Sequence, residues 1–284
     1  MLQRVWKDWY YEVGQKESYK IMIKIIGIPF DANSSFLRGP AYAPQRIRLM
    51  DKEGSANAFS ESGLEIKENY NYQDCGDIDF EDANPQKAFD TIKNTINNLI
   101  QDNSKVISIG GDHSVSYPII SAFADKYEKL NILHLDAHGD LYDNYDNNPF
   151  SHASPFARIM ESGKINSLTQ VGIRTLNTHQ REQIMRFGVK TIEMKDFDFN
   201  FIQTLQSPLY ISLDLDVLDP AFAPGISHHE PGGMTTRELI QIIQTIPVEI
   251  VGADMVEYNP MRDVHDMTAM VGYKLLKELV AKMI

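Results

Sequence analysis

Six short apolar runs rich in β-branched residues recur along the chain, at 21–26, 105–109, 131–136, 168–173, 209–214 and 249–254. Each has the length and composition of a strand. Stretches with helical spacing separate several of them. Over 86–103, Ala88, Ile92, Ile96 and Leu99 fall near one face of a helix. Further helices are expected over 116–130, over 236–245 behind the capping position Thr235–Thr236, and over 269–284. Strands alternating with helices point to an α/β fold, a parallel sheet covered by helices on both faces. There is no internal repeat, and no Gly-, Pro- or Ser-rich linker divides the chain. One domain spanning 1–284 is therefore expected, with 1–20 an N-terminal extension whose packing the pattern leaves open. In such sheets ligands bind beyond the carboxyl ends of the strands.

Composition narrows the function classes. The formal net charge is −12, and no basic stripe offers a footprint for nucleic acid. The single cysteine, Cys75, rules out an intramolecular disulfide, which fits a reducing compartment. Cys75 itself reads as a small buried apolar residue. The first 20 residues carry charges and the aromatics Trp6, Trp9 and Tyr10, with no continuous apolar stretch before a small-residue cleavage site. That is not the pattern of a signal peptide. No run approaches the roughly 18 apolar residues of a membrane span. A soluble, cytoplasmic protein with no membrane partner is expected.

The chemically loaded residues fall at strand ends. The run 131–136 continues into Asp136-Ala137-His138-Gly139-Asp140, and residues two apart in extended chain share a side. Asp136, His138 and Asp140 can converge if the chain bends at the last. The run 209–214 continues into Asp214-Leu215-Asp216 with the same spacing. The run 105–109 leads into Gly110-Gly111-Asp112-His113, where paired glycines allow a sharp turn and close backbone approach. Two imidazoles and at least four carboxylates thus gather at three strand ends. Four clustered carboxylates repel and shift one another's pKa upward unless divalent cations intervene. Oxygen-rich donors with one imidazole per metal suit manganese better than zinc. Two metals sharing carboxylates could generate hydroxide near neutral pH. An isolated Asp-X-Asp or lone histidine is ordinarily solvated surface or a cap. Spacing alone leaves a binuclear site and plain strand-end carboxylates both open.

Gly110–Ser114, Asp136–Asp140 and Ser212–Ala221 resemble, in order and separation, the three signature segments of the ureohydrolase (arginase–agmatinase) family. Similarity extends to Gly27–Asp31 and Asp254–Pro260, so it covers about residues 25–275. The resemblance implies a three-layer α/β/α fold around a mainly parallel eight-stranded sheet. It implies two Mn2+ per subunit, one held by His113, Asp136, Asp140 and Asp214, the other by Asp136, His138, Asp214 and Asp216. It places Glu257 against the substrate guanidinium, a planar group that matches a carboxylate in a bidentate pair. It makes His152 a proton shuttle, for which an imidazole pKa is suited. Asp140 or His152 would relay the proton to the leaving amine. Homo-oligomers, trimers or hexamers, are common in the family.

Within the family, the loop before His152 points to agmatine and to a prokaryotic agmatinase. Arginases present an Asn two residues before the shuttle histidine to hold the substrate carboxylate, and here Phe150 stands there. Asp143 and Asp146 would suit a bare amine and repel a carboxylate. A small cationic guanidino substrate, agmatine, cut to putrescine and urea, is the expectation. Ile226-Ser227-His228-His229 replaces the Thr-Gly-Thr-Pro found in many agmatinases and leaves the substrate open. Guanidinobutyrase, arginase or formimidoylglutamase are the alternatives inside the family. A single-zinc deacetylase and a non-catalytic metal-binding protein are those outside it. Arg174 is given no catalytic role.

Overall fold

The structure, a computed structural model, describes residues 23–53, 56–80 and 84–284. The N-terminal extension and the first two residues of the run 21–26 lie outside these. Eight strands form one sheet: β1 (Ile23–Gly27), β2 (Tyr72–Asp77), β3 (Lys105–Ile109), β4 (Leu130–Leu135), β5 (Ile165–Ile173), β6 (Lys190–Glu193), β7 (Leu209–Asp214) and β8 (Ile250–Val256). Their order is β2-β1-β3-β8-β7-β4-β5-β6, and every neighbouring pair is parallel. The six expected strands are all present. Strands β2 and β6 were not foreseen.

Alternation along the strands builds two cores. Ile23, Ile25, Ile107, Ile109, Leu133, Leu135, Leu209, Ile211 and Leu213 face one side, with helices α1 (Ala43–Glu53), α6 (Thr236–Thr245) and α7 (Met267–Met283). Ile26, Val106, Ile132 and Tyr210 face the other, with α2 (Pro85–Ile100), α3 (Ser116–Lys126) and α4 (Pro155–Glu161). A seventh helix, α5 (Thr178–Phe187), adds the partly buried Ile184 and Phe187 to that second face. Buried strands with period-2 side chains and a helix layer on each face make the three-layer arrangement. Helix α6 begins in a full capping box, Thr235 and Glu238 exchanging hydrogen bonds. No helix among the described residues is long and apolar enough to cross a membrane.

The order matters for chemistry because β3, β8, β7 and β4 are consecutive. Leu135 pairs with Leu213, Asp214 with Val256, and Ile109 with Met255. The residues that follow these four strands therefore emerge side by side along one edge.

Candidate metal centre and substrate cavity

His113, Asp136, Asp140 and Asp214 meet at this edge. His113 Nδ1 lies 3.1 Å from Asp136 Oδ2, 3.0 Å from Asp140 Oδ2 and 3.2 Å from Asp214 Oδ2. Asp140 reaches the group because its backbone turns back at φ 47°, a left-handed conformation uncommon for a side chain with a Cβ. A second group lies beside it: His138 Nδ1 is 2.9 Å from Asp216 Oδ2 and 3.4 Å from Asp136 Oδ1. Asp136 thus offers one oxygen to each group.

The hydrogen bonds behind the ligands fix their tautomers. Ser212 Oγ donates to Asp254 Oδ1 at 2.8 Å and lies 3.1 Å from His113 Nε2. A hydroxyl already donating must accept there, so His113 carries its proton on Nε2. Its Nδ1 lone pair is left toward the carboxylates, and that buried atom has no hydrogen-bond partner. An unprotonated nitrogen facing three carboxylate oxygens is what a divalent cation requires. Similarly, Gln170 Nε2 lies 3.0 Å from His134 Nδ1, which leaves His134 Nε2–H to donate to Asp136 Oδ2 at 2.7 Å. His134 ring-stacks on Phe156, with centroids 3.9 Å apart.

The Nε2–H form of His113 is the tautomer of the neutral ring. Burial lowers its pKa, but without a metal Asp136, Asp140 and Asp214 outweigh that and hold His113 well above its ordinary value, so a bound cation would take the place of the Nδ1 proton. Burial raises the Asp214 carboxyl well above the usual range, and Asp216 and Asp136 push it further. Burial also raises Asp216. Asp136 goes the other way: burial alone would raise it, but His134, His113 and His138 hold it well below. Carboxylates crowded until some resist ionisation fit two divalent cations, the remedy such a donor set calls for.

Glu257 follows β8 with φ 63°, its backbone N–H bonded to Gly111 O at 2.9 Å. Its Oε1 accepts from His113 N at 2.9 Å and from His152 Nδ1 at 2.8 Å. Its Oε2 is buried and unpartnered. Burial lowers the His152 pKa, but the neighbouring Glu257 outweighs that and lifts it to about 9. Burial raises Glu257, and His152 in turn outweighs that and holds it low. Asp112 is not at the metal groups. Its carboxylate accepts from Asn33 N, Ser34 Oγ and Ser114 N, at 2.9, 3.3 and 3.0 Å, and so ties the loop after β1 to the site.

A cavity of about 210 Å³ opens over these residues, lined also by Ser35, Tyr142, Tyr145, Thr175, Gln180 and His228. Three expected substrate contacts are absent from its lining. Phe150 packs at 5.8 Å on Phe89 and 6.0 Å on Tyr117, in the core beneath α2 and α3. Residues two apart lie on opposite sides of this turn, so where His152 faces the cavity Phe150 is directed into the core. Asp143 is exposed and pairs with His179 at 3.2 Å. Asp146 sits at an exposed turn with φ 51°. The structure therefore does not bring Phe150, Asp143 and Asp146 into the cavity lining with His152 and Glu257. His228 lines the cavity, 5.4 Å from His152 and 5.8 Å from His138 between ring centres. His229 is exposed and reaches Pro224 O at 2.9 Å. Arg174 braces the loop after β7 through the carbonyls of Asp216 and Glu230, both at 2.7 Å. Cys75 is only partly buried. Ser35 and Gln170 carried no motif signal, because their partners lie 117 and 36 positions away in sequence, and Ser212 and Asp254, though inside family-like segments, were given no role.

Residues 21–281 match the profile of the arginase family. Arginase 1, mitochondrial, of Arabidopsis thaliana is 44% identical over 278 residues, 93% of this chain and 81% of its own length. An agmatinase of Bacillus cereus is 32% identical over 271 residues, 91% of this chain and 90% of its own. Among solved structures, an arginase from Medicago truncatula superposes with a TM-score of 0.88 at 38% identity, covering 97% of this chain and 91% of that one. The agmatine ureohydrolase of Thermoplasma volcanium superposes at 0.82 with 26% identity, covering 97% of each. Identity is higher to the plant arginase than to the bacterial agmatinase. The expectation of a chain most like a prokaryotic agmatinase is corrected accordingly.

Proposed function

The chain belongs to the arginase family, and from that premise we propose that it hydrolyses L-arginine to ornithine and urea with two Mn2+ per subunit. The observation that carries the reading is Glu257, a residue of the cavity lining whose buried carboxylate oxygen Oε2 has no partner, in a cavity that also borders both groups of candidate ligands. A buried acceptor without a donor costs free energy, and a guanidinium N–H supplies the donor.

His113, Asp136, Asp140 and Asp214 would hold one metal, and Asp136, His138, Asp214 and Asp216 the other. When bound, the pair supplies hydroxide at neutral pH and polarises the guanidinium carbon. Glu257 orients the guanidinium, and its Oε1 bond to His152 keeps the imidazole beside the reacting nitrogen. His152, or Asp140, delivers the proton to the departing amine. Water breaks the bond from the guanidinium carbon to that nitrogen, releasing urea and the amine.

Two findings support arginine over agmatine. The grounds for agmatine rested on Phe150, Asp143 and Asp146, which lie off the cavity. The lining instead includes the hydroxyl-bearing side chains of Tyr142 and Tyr145. Tyr142 OH accepts from Asn177 Nδ2 at 2.6 Å, which leaves its own proton to give to a carboxylate. One observation favours agmatine as a second reading: no Lys or Arg is among the lining residues to neutralise an α-carboxylate. Urea release from arginine, agmatine and 4-guanidinobutyrate by manganese-loaded protein, with a chelated control, decides. Arginine-dominant urea lost on chelation is expected. Agmatine-dominant urea would install the second reading, and no urea from any of the three would overturn both.

A further inference from the structure

His152 is buried, yet a residue that trades protons in every turnover must exchange them with solvent. Its two ring nitrogens are both engaged. Nδ1 faces Glu257 Oε1 at 2.8 Å, which is inward and buried. Nε2 faces Ser35, with Oγ at 2.7 Å and the backbone N–H at 3.2 Å. His228 lies against the ring without a hydrogen bond to it. Among the described residues, Ser35 is thus the hydrogen-bond partner of His152 Nε2, at the cavity rim, and it is exposed.

The serine is also held in place. Asn33 N donates to Asp112 Oδ2 at 2.9 Å, His152 N donates to Asn33 O at 3.2 Å, and Asn148 Nδ2 donates to Asn33 Oδ1 at 3.2 Å. The Ser35 N–H can bond Nε2 only when that nitrogen is unprotonated, which places the neutral ring's proton on Nδ1, toward Glu257. The hydroxyl serves both states: it donates to bare Nε2 and accepts from protonated Nε2. A loop tied to the site at three points has put a two-way hydroxyl between a buried imidazole and water.

We propose that Ser35 is a positioning residue that sets the tautomer of His152 and carries the proton between His152 Nε2 and solvent. This rests on the reading of His152 as the proton carrier in guanidine hydrolysis. The proton count closes without an additional reactant beyond solvent or buffer acid. When Nε2 has given its proton to the leaving nitrogen and the ring keeps its Nδ1–H, the Ser35 O–H bond breaks and an N–H bond forms at Nε2. The serine oxygen then takes a proton from hydronium or a buffer acid. No electron is transferred, and no bond to carbon forms at Ser35. In the reverse direction each transfer is undone at the same atoms.

The test compares the manganese-loaded parent with Ser35→Ala, Ser35→Thr and His152→Asn on the best substrate. Manganese content and melting temperature are measured for each. Ser35→Ala is expected to lose about tenfold or more in kcat with KM within about twofold, a relay defect being a fraction of full general-acid catalysis. Rising concentrations of a small acid such as imidazole, at fixed pH and ionic strength, are expected to restore most of that loss while leaving the parent unchanged. Ser35→Thr keeps the hydroxyl and stays within about threefold of the parent. Ser35→Ala added to His152→Asn costs nothing further. Parent-like kcat in Ser35→Ala would overturn the relay. So would a loss that no buffer restores and that Ser35→Thr shares, since that marks loop packing. An inactive parent, with every candidate substrate, would overturn the functional reading and the relay together. An active parent with a buffer-insensitive Ser35→Ala overturns the relay alone.

Discussion

At the scale of single residues, Glu257 bears two separable duties. Oε1 holds His113 N and His152 Nδ1, and Oε2, without a partner, is the oxygen proposed to meet the substrate. Glu257→Gln preserves the first duty through its amide oxygen and sets an NH2 where the guanidinium needs an acceptor. The loss of one charge-assisted hydrogen bond is worth about 3 kcal/mol, so kcat/KM should fall roughly 100-fold with metal content unchanged. A fall under about threefold in steady-state urea release would remove Glu257 from substrate recognition. His152 offers a pH test on the metal-free protein. Its pKa in the fold is about 9, raised because the pairing with Glu257 outweighs burial, against about 6.5 in an unfolded chain. A raised histidine contributes stability that is full below about pH 6.5 and is lost as pH rises through 9. The parent's advantage over His152→Asn in chelator should be on the order of 3 kcal/mol at pH 6 and should shrink by pH 10. Denaturant titrations at the two pH values check it, and a gap that widens with pH would mean the ring is neutral in the fold.

At the scale of elements, the turn after β3 shows why a strand end can become a site. A Cβ added to Gly111 would lie 1.7 Å from Phe30 O, and the adjacent Asp112 N bonds that same oxygen at 3.0 Å. The backbones of two loops touch here, and only glycine permits it. Gly111→Ala should therefore cost about 3 kcal/mol or more, at the upper end for overpacking, and should lower manganese affinity as His113 moves. Thermal melting and metal titration together check this, and an unchanged melting temperature would show the turn to be compliant. The same close approach explains what the sequence made legible. Buried strands such as β3, β4, β7 and β8 are short, mainly apolar runs, and their downstream Asp and His residues stand out by position. Strand β2, Tyr-Gln-Asp-Cys-Gly-Asp, is a polar edge with no apolar face to read. Helices α1, α4 and α5 escaped notice because they are short, or carry few buried side chains on a polar surface. The candidate ligands could be read from the sequence because they are local to three strand ends. Ser35 was not, since its partner lies 117 positions away. Phe150 misled because closeness to His152 in sequence is not closeness to the cavity.

At the scale of the whole molecule, the fold gathers charge where a protein interior tolerates it least. Asp136, Asp140, Asp214 and Asp216 are all buried at one edge of the sheet, in a chain already carrying a net −12. Only part of that burden is met by His113, His134 and His138. Asp214 remains raised, by burial first and then by Asp216 and Asp136. An acid whose pKa is higher in the fold than in the unfolded chain withdraws stability as it is forced to ionise. The cost is absent below the ordinary carboxylate range and grows as pH rises above it. Metal-free Asp214→Asn should therefore match or exceed the metal-free parent in stability at pH 7, and the two should converge near pH 4. Manganese should reverse the ranking. On the proposed reading it binds the folded parent and not the unfolded chain, so a hundredfold excess over Kd would add about 2.7 kcal/mol, whereas the variant would lack a ligand the two metals are proposed to share. Melting curves of parent and variant, with chelator and with manganese, at pH 4 and 7, give the full comparison. If metal-free Asp214→Asn is instead less stable at pH 7, the ion pair from His113 Nδ1 at 3.2 Å already compensates Asp214, and the site owes its cohesion to histidine protonation more than to metal. If the variant is the more stable, the carboxylates are crowded at a cost in stability that only bound cations offset, which ties folding of the active form to metal supply.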